Sequence, residues 1–109
     1  MTQTWSSDAI AGRTLHVEVA GDVLSTTSDG IRGRITRELA RAGSSIAAFE
    51  LNMAHARMID SAGLNLLVWL IKQVGIRGGK VRLRLSDPEV LRAVRFTRLG
   101  RDAEILQMA

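Results

Sequence analysis

Residues 58–67 read MIDSAGLNLL and place an acid beside a hydroxyl. A short apolar run ends at Asp60-Ser61, passes Ala62-Gly63 and opens into a leucine-rich stretch. Asp and Ser side chains accept hydrogen bonds from the free backbone N–H groups of a helix's first turn, so the pair suits a helix N-cap. The same place suits a phosphate, because those N–H groups and the helix dipole favour negative charge. A phosphoryl group on Ser61 would add about −1.5 to −2 charges to an exposed surface and could abolish docking while leaving the fold intact. Asp60-Ser61 is therefore either a cap alone or a cap beside a modifiable hydroxyl. Gly63 suits close packing of a helix on a sheet.

Other chemistry finds few residues to work with. A serine hydrolase needs a base and an oxyanion hole. The chain has no G-x-S-x-G elbow, and its two histidines, His16 and His55, stand apart. With no cysteine it can form neither disulfides nor thiolate metal sites. We therefore expect a non-enzyme with no cofactor and no metal. Thirteen arginines against two lysines, Lys72 and Lys80, give a net charge of +4. That excess fits an acidic partner or nucleic acid. It equally fits a codon bias towards arginine, since the arginines spread over several elements. Four aromatics and no tyrosine argue against a base-stacking platform, hence against nucleic acid.

A chain of 109 residues, 46% hydrophobic and 24% charged, reads as one globular domain, 1–109, rather than a disordered one. No apolar run reaches the roughly 18 residues a membrane span needs. The first residues, MTQTWSSDAIAG, lack the basic and apolar regions of a secretory signal. A cytoplasmic location without membrane insertion is the expectation.

The joint needs elements to hold it. Leu15, Val17 and Val19 alternate with His16 and Glu18, the period of a half-buried strand ended by Gly21-Asp22. Residues 44–53 repeat the pattern with Phe49, Leu51 and Met53 against Glu50 and Asn52. Residues 80–85 repeat it with Val81, Leu83 and Leu85 against Arg82 and Arg84. Helical segments lie between: Thr27 to Ala42, weakened by Gly30 and Gly33; Ser61 to Arg77, ended by Gly78-Gly79; and Asp87 to Leu99. The last opens on Ser86-Asp87-Pro88-Glu89, a capping box with an early helical proline. Ala103 to Leu106 reads as a closing strand. Trp5 lies in an N-terminal segment that reads as a strand joined to the next by a turn at Ala11-Gly12-Arg13. Alternating strands and helices predict an α/β fold with a mixed or mostly parallel sheet of four to five strands. Polar residues on one strand face place the helices mainly on the other. His16, Glu18, Glu50, Asn52, Arg82 and Arg84 then share the open face, where acids and bases pair across strands.

On a helical wheel, Gly63, Leu64, Leu67, Leu70, Ile71 and Val74 share the core side of the leucine-rich helix. Ser61, Asn65, Trp69, Lys72 and Ile76 share the exposed side. An exposed tryptophan requires a cover, either the next helix or a protein partner. Tryptophan is enriched at interface hot spots.

MIDSAGL followed by LNLLVWLIKQ, a glycine pair, KVRLRL and SDPEVLRAVRFTRLG resembles the STAS domain, the fold of bacterial anti-sigma factor antagonists, over nearly the whole chain. Gly21-Asp22-Val23 is similar to the family's G-x-L/V element, and Leu51-Asn52-Met53 to its L-D/N-L strand. The resemblance implies a protein-binding regulator. Its partner would be an anti-sigma factor that is also a serine kinase of the histidine-kinase ATPase fold, with a PP2C-type phosphatase reversing the phosphorylation. Taken with the exposed side of the leucine-rich helix, the expected docking surface is Asp60, Ser61, Ala62, Gly63, Asn65, Trp69 and Lys72, with Gly21, Asp22 and Asn52 in the loops beside it. The family's usual phosphoacceptor is the second hydroxyl of D-S-S/T-G-L. Here Ala62 stands in that place, so Ser61, one residue earlier, is the candidate acceptor. Leu24 stands where an acid is often found in G-x-L-D. These departures keep a second reading open, a constitutive subunit of another complex such as an ABC-transporter ATPase.

Overall fold

The structure, a computed structural model, describes residues 13–43, 45–97 and 99–108. The expected strand around Trp5 and the turn residues Ala11-Gly12 lie outside the described residues. In chain order the elements are β1 (Arg13–Glu18), α1 (Ser28–Ala42), β2 (Ile46–Met53), α2 (Ser61–Ile76), β3 (Lys80–Leu85), α3 (Pro88–Phe96), a 3-10 turn (Leu99–Arg101) and β4 (Ala103–Gln107).

The local signals act as their chemistry dictates. Gly78 takes φ +82°, a left-handed conformation that lets the chain leave α2 for β3. The Asp87 carboxylate accepts from the backbone N–H groups of Glu89 and Val90, and Pro88 fills the first turn of α3, where its missing N–H costs nothing.

The four strands lie in the order β1-β2-β3-β4, and all three pairings are parallel. This corrects the expectation of a mixed sheet for the described strands. A crossover separates each strand from the next, so each re-enters the sheet in the same direction. The one hairpin signal lay near Ala11-Gly12. Every crossover also steps the same way along the sheet. Because such crossovers are right-handed almost without exception, all three helices fall on one face. The core fills that layer: Val17, Phe49, Leu51 and Leu83 from the strands meet Ile35 of α1, Leu67 and Leu70 of α2 and Val94 of α3.

The other face carries the expected charged rows. Register sets His16, Glu50, Arg82 and Glu104 level across the sheet. Glu50 is buried, so it needs a partner. Its carboxylate accepts from Nε of Arg84, two residues along β3, with Nδ1 of His16 3.6 Å away. Arg82 Nε donates instead to Glu104 Oε1 at 2.8 Å. The acid–base pairing is therefore diagonal in one case and direct in the other. Among the described residues, no helix is long and apolar enough to cross a membrane.

Candidate functional site

The site gathers where β1 and β2 end. The chain leaving β1 and the chain leaving β2 meet once more beyond the sheet, in a parallel bridge between Val23 and Ile59. Val23 N–H donates to the Met58 carbonyl at 3.1 Å, and Asp60 N–H donates to the Val23 carbonyl at 3.3 Å. Two carboxylates then fasten the loops. Asp22 Oδ1 accepts from the backbone N–H groups of Arg57 at 2.8 Å and Met58 at 3.1 Å. Asp60 Oδ2 accepts from the Ser25 N–H at 2.8 Å, while its Oδ1 accepts from the Gly63 N–H at 2.9 Å. Asn52 Oδ1 accepts from the Ala54 N–H at 2.9 Å and starts the turn out of β2. Thr27 Oγ1 accepts from the Leu24 N–H and donates to the Asp22 carbonyl, closing the first loop from within.

Asp60 is thus the N-cap of α2 and also a link between loops. The Gly63 amide, and after it the Ser25 amide, hold its carboxyl below the ordinary value of 3.8, against a smaller opposing effect of burial. The positive end of the α2 dipole therefore already faces a fixed negative charge. Ser61 follows at the first helical position, exposed, its hydroxyl making no hydrogen bond to the described residues. Ala62 is half-buried.

Gly63 is buried where α2 crosses the first loop. A Cβ there would lie well inside van der Waals contact with the Val23 carbonyl oxygen and 2.7 Å from Ile59 Cγ1. The glycine admits the close approach on which the Val23–Ile59 bridge and the Asp60 hydrogen bonds depend. Its neighbour across the bridge is the first loop, not the sheet expected for it. At Gly21, by contrast, a Cβ would meet nothing within 4 Å.

The outward stripe of α2 differs from the expected one in two places. Ser61, Asn65, Lys72 and Ile76 are exposed, as expected, and Val68 joins them. Trp69 is instead half-buried against the core, with the Arg32 guanidinium 4.6 Å from its ring centroid. Its cover comes from α1 rather than from the next helix. Leu66, absent from the expected core face, is fully buried. The physical reason is that α2 packs on the sheet with α1 along its flank, so its apolar arc is wider than one stripe.

Four further residues belong to this surface: Met58, Ser25, Arg32 and Val68. Met58 is 59% exposed beside Asp60 and gives the joint an apolar contact point. Ser25 enters through its backbone, so no side-chain signal marks it. Arg32 could have been found from the arginines of the first helix, but not its choice of partner. Among the described residues, no group of three or more His, Cys, Asp or Glu could hold a metal ion. His55 lies 3.1 Å from Glu18 and His16 lies against Glu50.

Comparison with solved structures returns the same architecture. The anti-sigma factor antagonist SpoIIAA in its unphosphorylated form superposes with a TM-score of 0.72 at 18% identity, over 89% of this chain and 81% of that one. A Thermotoga maritima protein provisionally named an anti-sigma factor antagonist superposes with a TM-score of 0.74 at 18% identity, over 88% and 80%. A sulfate transporter family protein from Wolinella succinogenes gives 0.66 at 21% identity, over 85% and 75%. No curated protein sequence matches the chain. Identities this low establish the fold alone. The family comes from the sequence: residues 7–108 match the STAS domain, a stretch that takes in the whole described sheet, its three helices and the Asp60–Gly63 joint, and the chain belongs to that family.

Proposed function

We propose that this chain is a cytoplasmic, non-enzymatic regulator of the anti-sigma factor antagonist kind. It docks an anti-sigma factor or switch kinase through the joint at Asp60 and the outward stripe of α2. The observation that carries this reading is the double anchorage of Asp60 to Gly63 and Ser25. It ties down the backbone beside Ser61, as Asp22 and Val23 tie down Met58, and both residues are exposed at one end of a stripe that continues through Asn65, Val68 and Lys72. A rigid surface loses little entropy on binding. The fold shared with SpoIIAA supports the choice of partner class.

Ser61 is the phosphoacceptor in this reading, in place of the hydroxyl that Ala62 lacks. A phosphate there would sit beside the Asp60 carboxylate and compete with it for the first-turn amides. Repulsion would loosen the Asp60–Ser25 link as well as add charge to the docking face. Incubation with the partner kinase and ATP, followed by intact-mass spectrometry, is expected to show one phosphate, lost in Ser61→Ala. A phosphate that persists in Ser61→Ala sinks the assignment.

Ala62 favours a second reading, a constitutive subunit of another complex such as a transporter ATPase. The likeness to a sulfate transporter family protein supports it. Under this reading no phosphate is taken up, and the chain co-purifies stoichiometrically with transporter components.

A further inference from the structure

The outer face of α3 carries a feature that the joint does not use. Val90 and Val94 point into the core. Pro88, Leu91, Arg92, Arg95 and Phe96 recur at three- and four-residue intervals and so share another face. They line a shallow groove of about 470 Å³. Phe96 is 89% exposed, the most exposed large apolar side chain among the described residues. Arg92 is 3.5 Å from Glu89 in a largely exposed pair, and Arg95 makes no ion pair with the described residues. The groove therefore has an apolar floor, an aromatic lip and two cations, with no acid in its lining. Since α3 starts at the end of the sheet that holds the joint and runs back along it, Phe96 lies about 12 Å further along the helix, away from the joint.

We propose that this groove is a second docking site, for an acidic peptide segment of a partner protein that carries an apolar anchor residue. Charge selects the occupant. A second copy of this chain in a two-fold contact would bring two grooves of the same cationic character together, with no acid in either lining to answer Arg95, and like-charge repulsion opposes that. A membrane surface calls for a broad apolar face or a second anchor; this nine-residue helix offers one protruding phenylalanine beside a shallow groove. An acidic segment pairs with both arginines, and its anchor fills the space between Leu91 and Phe96. Aromatic and arginine side chains are the usual centres of such contacts.

The test is an NMR titration of the full chain with a short synthetic peptide of alternating Glu and Leu around a central Phe. The same peptide with Lys for Glu is the control. Shifts confined to α3 and the turn after it, absent with the Lys peptide and weakened by salt, are expected. Phe96→Ser and Arg95→Glu should each lower the affinity at least tenfold while leaving the thermal midpoint unchanged, because both side chains are exposed. Ser61→Ala should leave it unaltered, which separates this site from the joint. Absence of α3 shifts at millimolar peptide, or equal binding of the Lys peptide, overturns the proposal. So does binding to phosphatidylglycerol vesicles without peptide binding, or concentration-dependent dimerisation through α3.

Discussion

Asp22 and Asp60 each fasten the loop that carries the other. Asp22 takes the backbone N–H groups of Arg57 and Met58, just before Asp60, and Asp60 takes that of Ser25, just after Asp22. The reciprocal clasp turns two loop ends into one surface.

Asp22→Ala removes two charge-assisted hydrogen bonds and is expected to cost about 1–3 kcal/mol in urea unfolding. Hydrogen exchange should localise the loss, with faster exchange at the Arg57 and Met58 amides and little change in β3. Protection that stays uniform across the loops would show that the clasp contributes nothing to them.

The Asp60 link makes stability depend on acid. Its carboxyl is lowered in the folded chain, chiefly by the Gly63 amide and then by that of Ser25. A group depressed on folding stabilises fully above its unfolded value, 3.8, and loses that contribution as pH falls through the folded value. Asp60→Asn should therefore be less stable than the parent at neutral pH, and the two urea midpoints should converge in strong acid. A gap of constant size across the whole range would mean that charge is not the cause.

Gly63→Ala forces a methyl against the Val23 carbonyl and Ile59 and should destabilise by about 1–3 kcal/mol or more. Gly21→Ala has open space and should change stability by no more than about 0.5 kcal/mol. The pair of variants separates close approach from general loop sensitivity. Equal effects would remove the special role given to Gly63.

Trp69 is a packing residue that borders the proposed docking surface. Trp69→Ala should cost about 2–4 kcal/mol, because the ring lies against the core. Arg32→Ala uncovers the ring without deleting it and should cost about 0.5–1 kcal/mol. In a Trp5→Phe background, it should shift the remaining indole emission to the red. Unchanged emission would show that Arg32 does not shield the ring in solution. Partner affinity is best compared in Arg32→Ala, where a loss cannot be attributed to a missing tryptophan.

Every described α-helix and strand was legible from residues one to four apart, although α3 stops at Phe96, short of the expected Leu99, which instead opens the 3-10 turn. Period-two alternation marked β1, β2 and β3, and Asp87-Pro88 marked the start of α3. Asp60 was legible as a cap because the amide it accepts, that of Gly63, is three residues away. Short-range sterics and hydrogen bonding suffice for such features. The tertiary structure decided the rest, because it depends on which distant segments meet. Asp60 finds Ser25 across 35 residues only because parallel register brings Val23 beside Ile59. Trp69 is covered by Arg32 only because α1 packs along the flank of α2. Glu50 meets Arg84, a diagonal neighbour on β3, and the level Arg82 meets Glu104 on β4, a choice set by how the strands lie together rather than by any one strand's sequence.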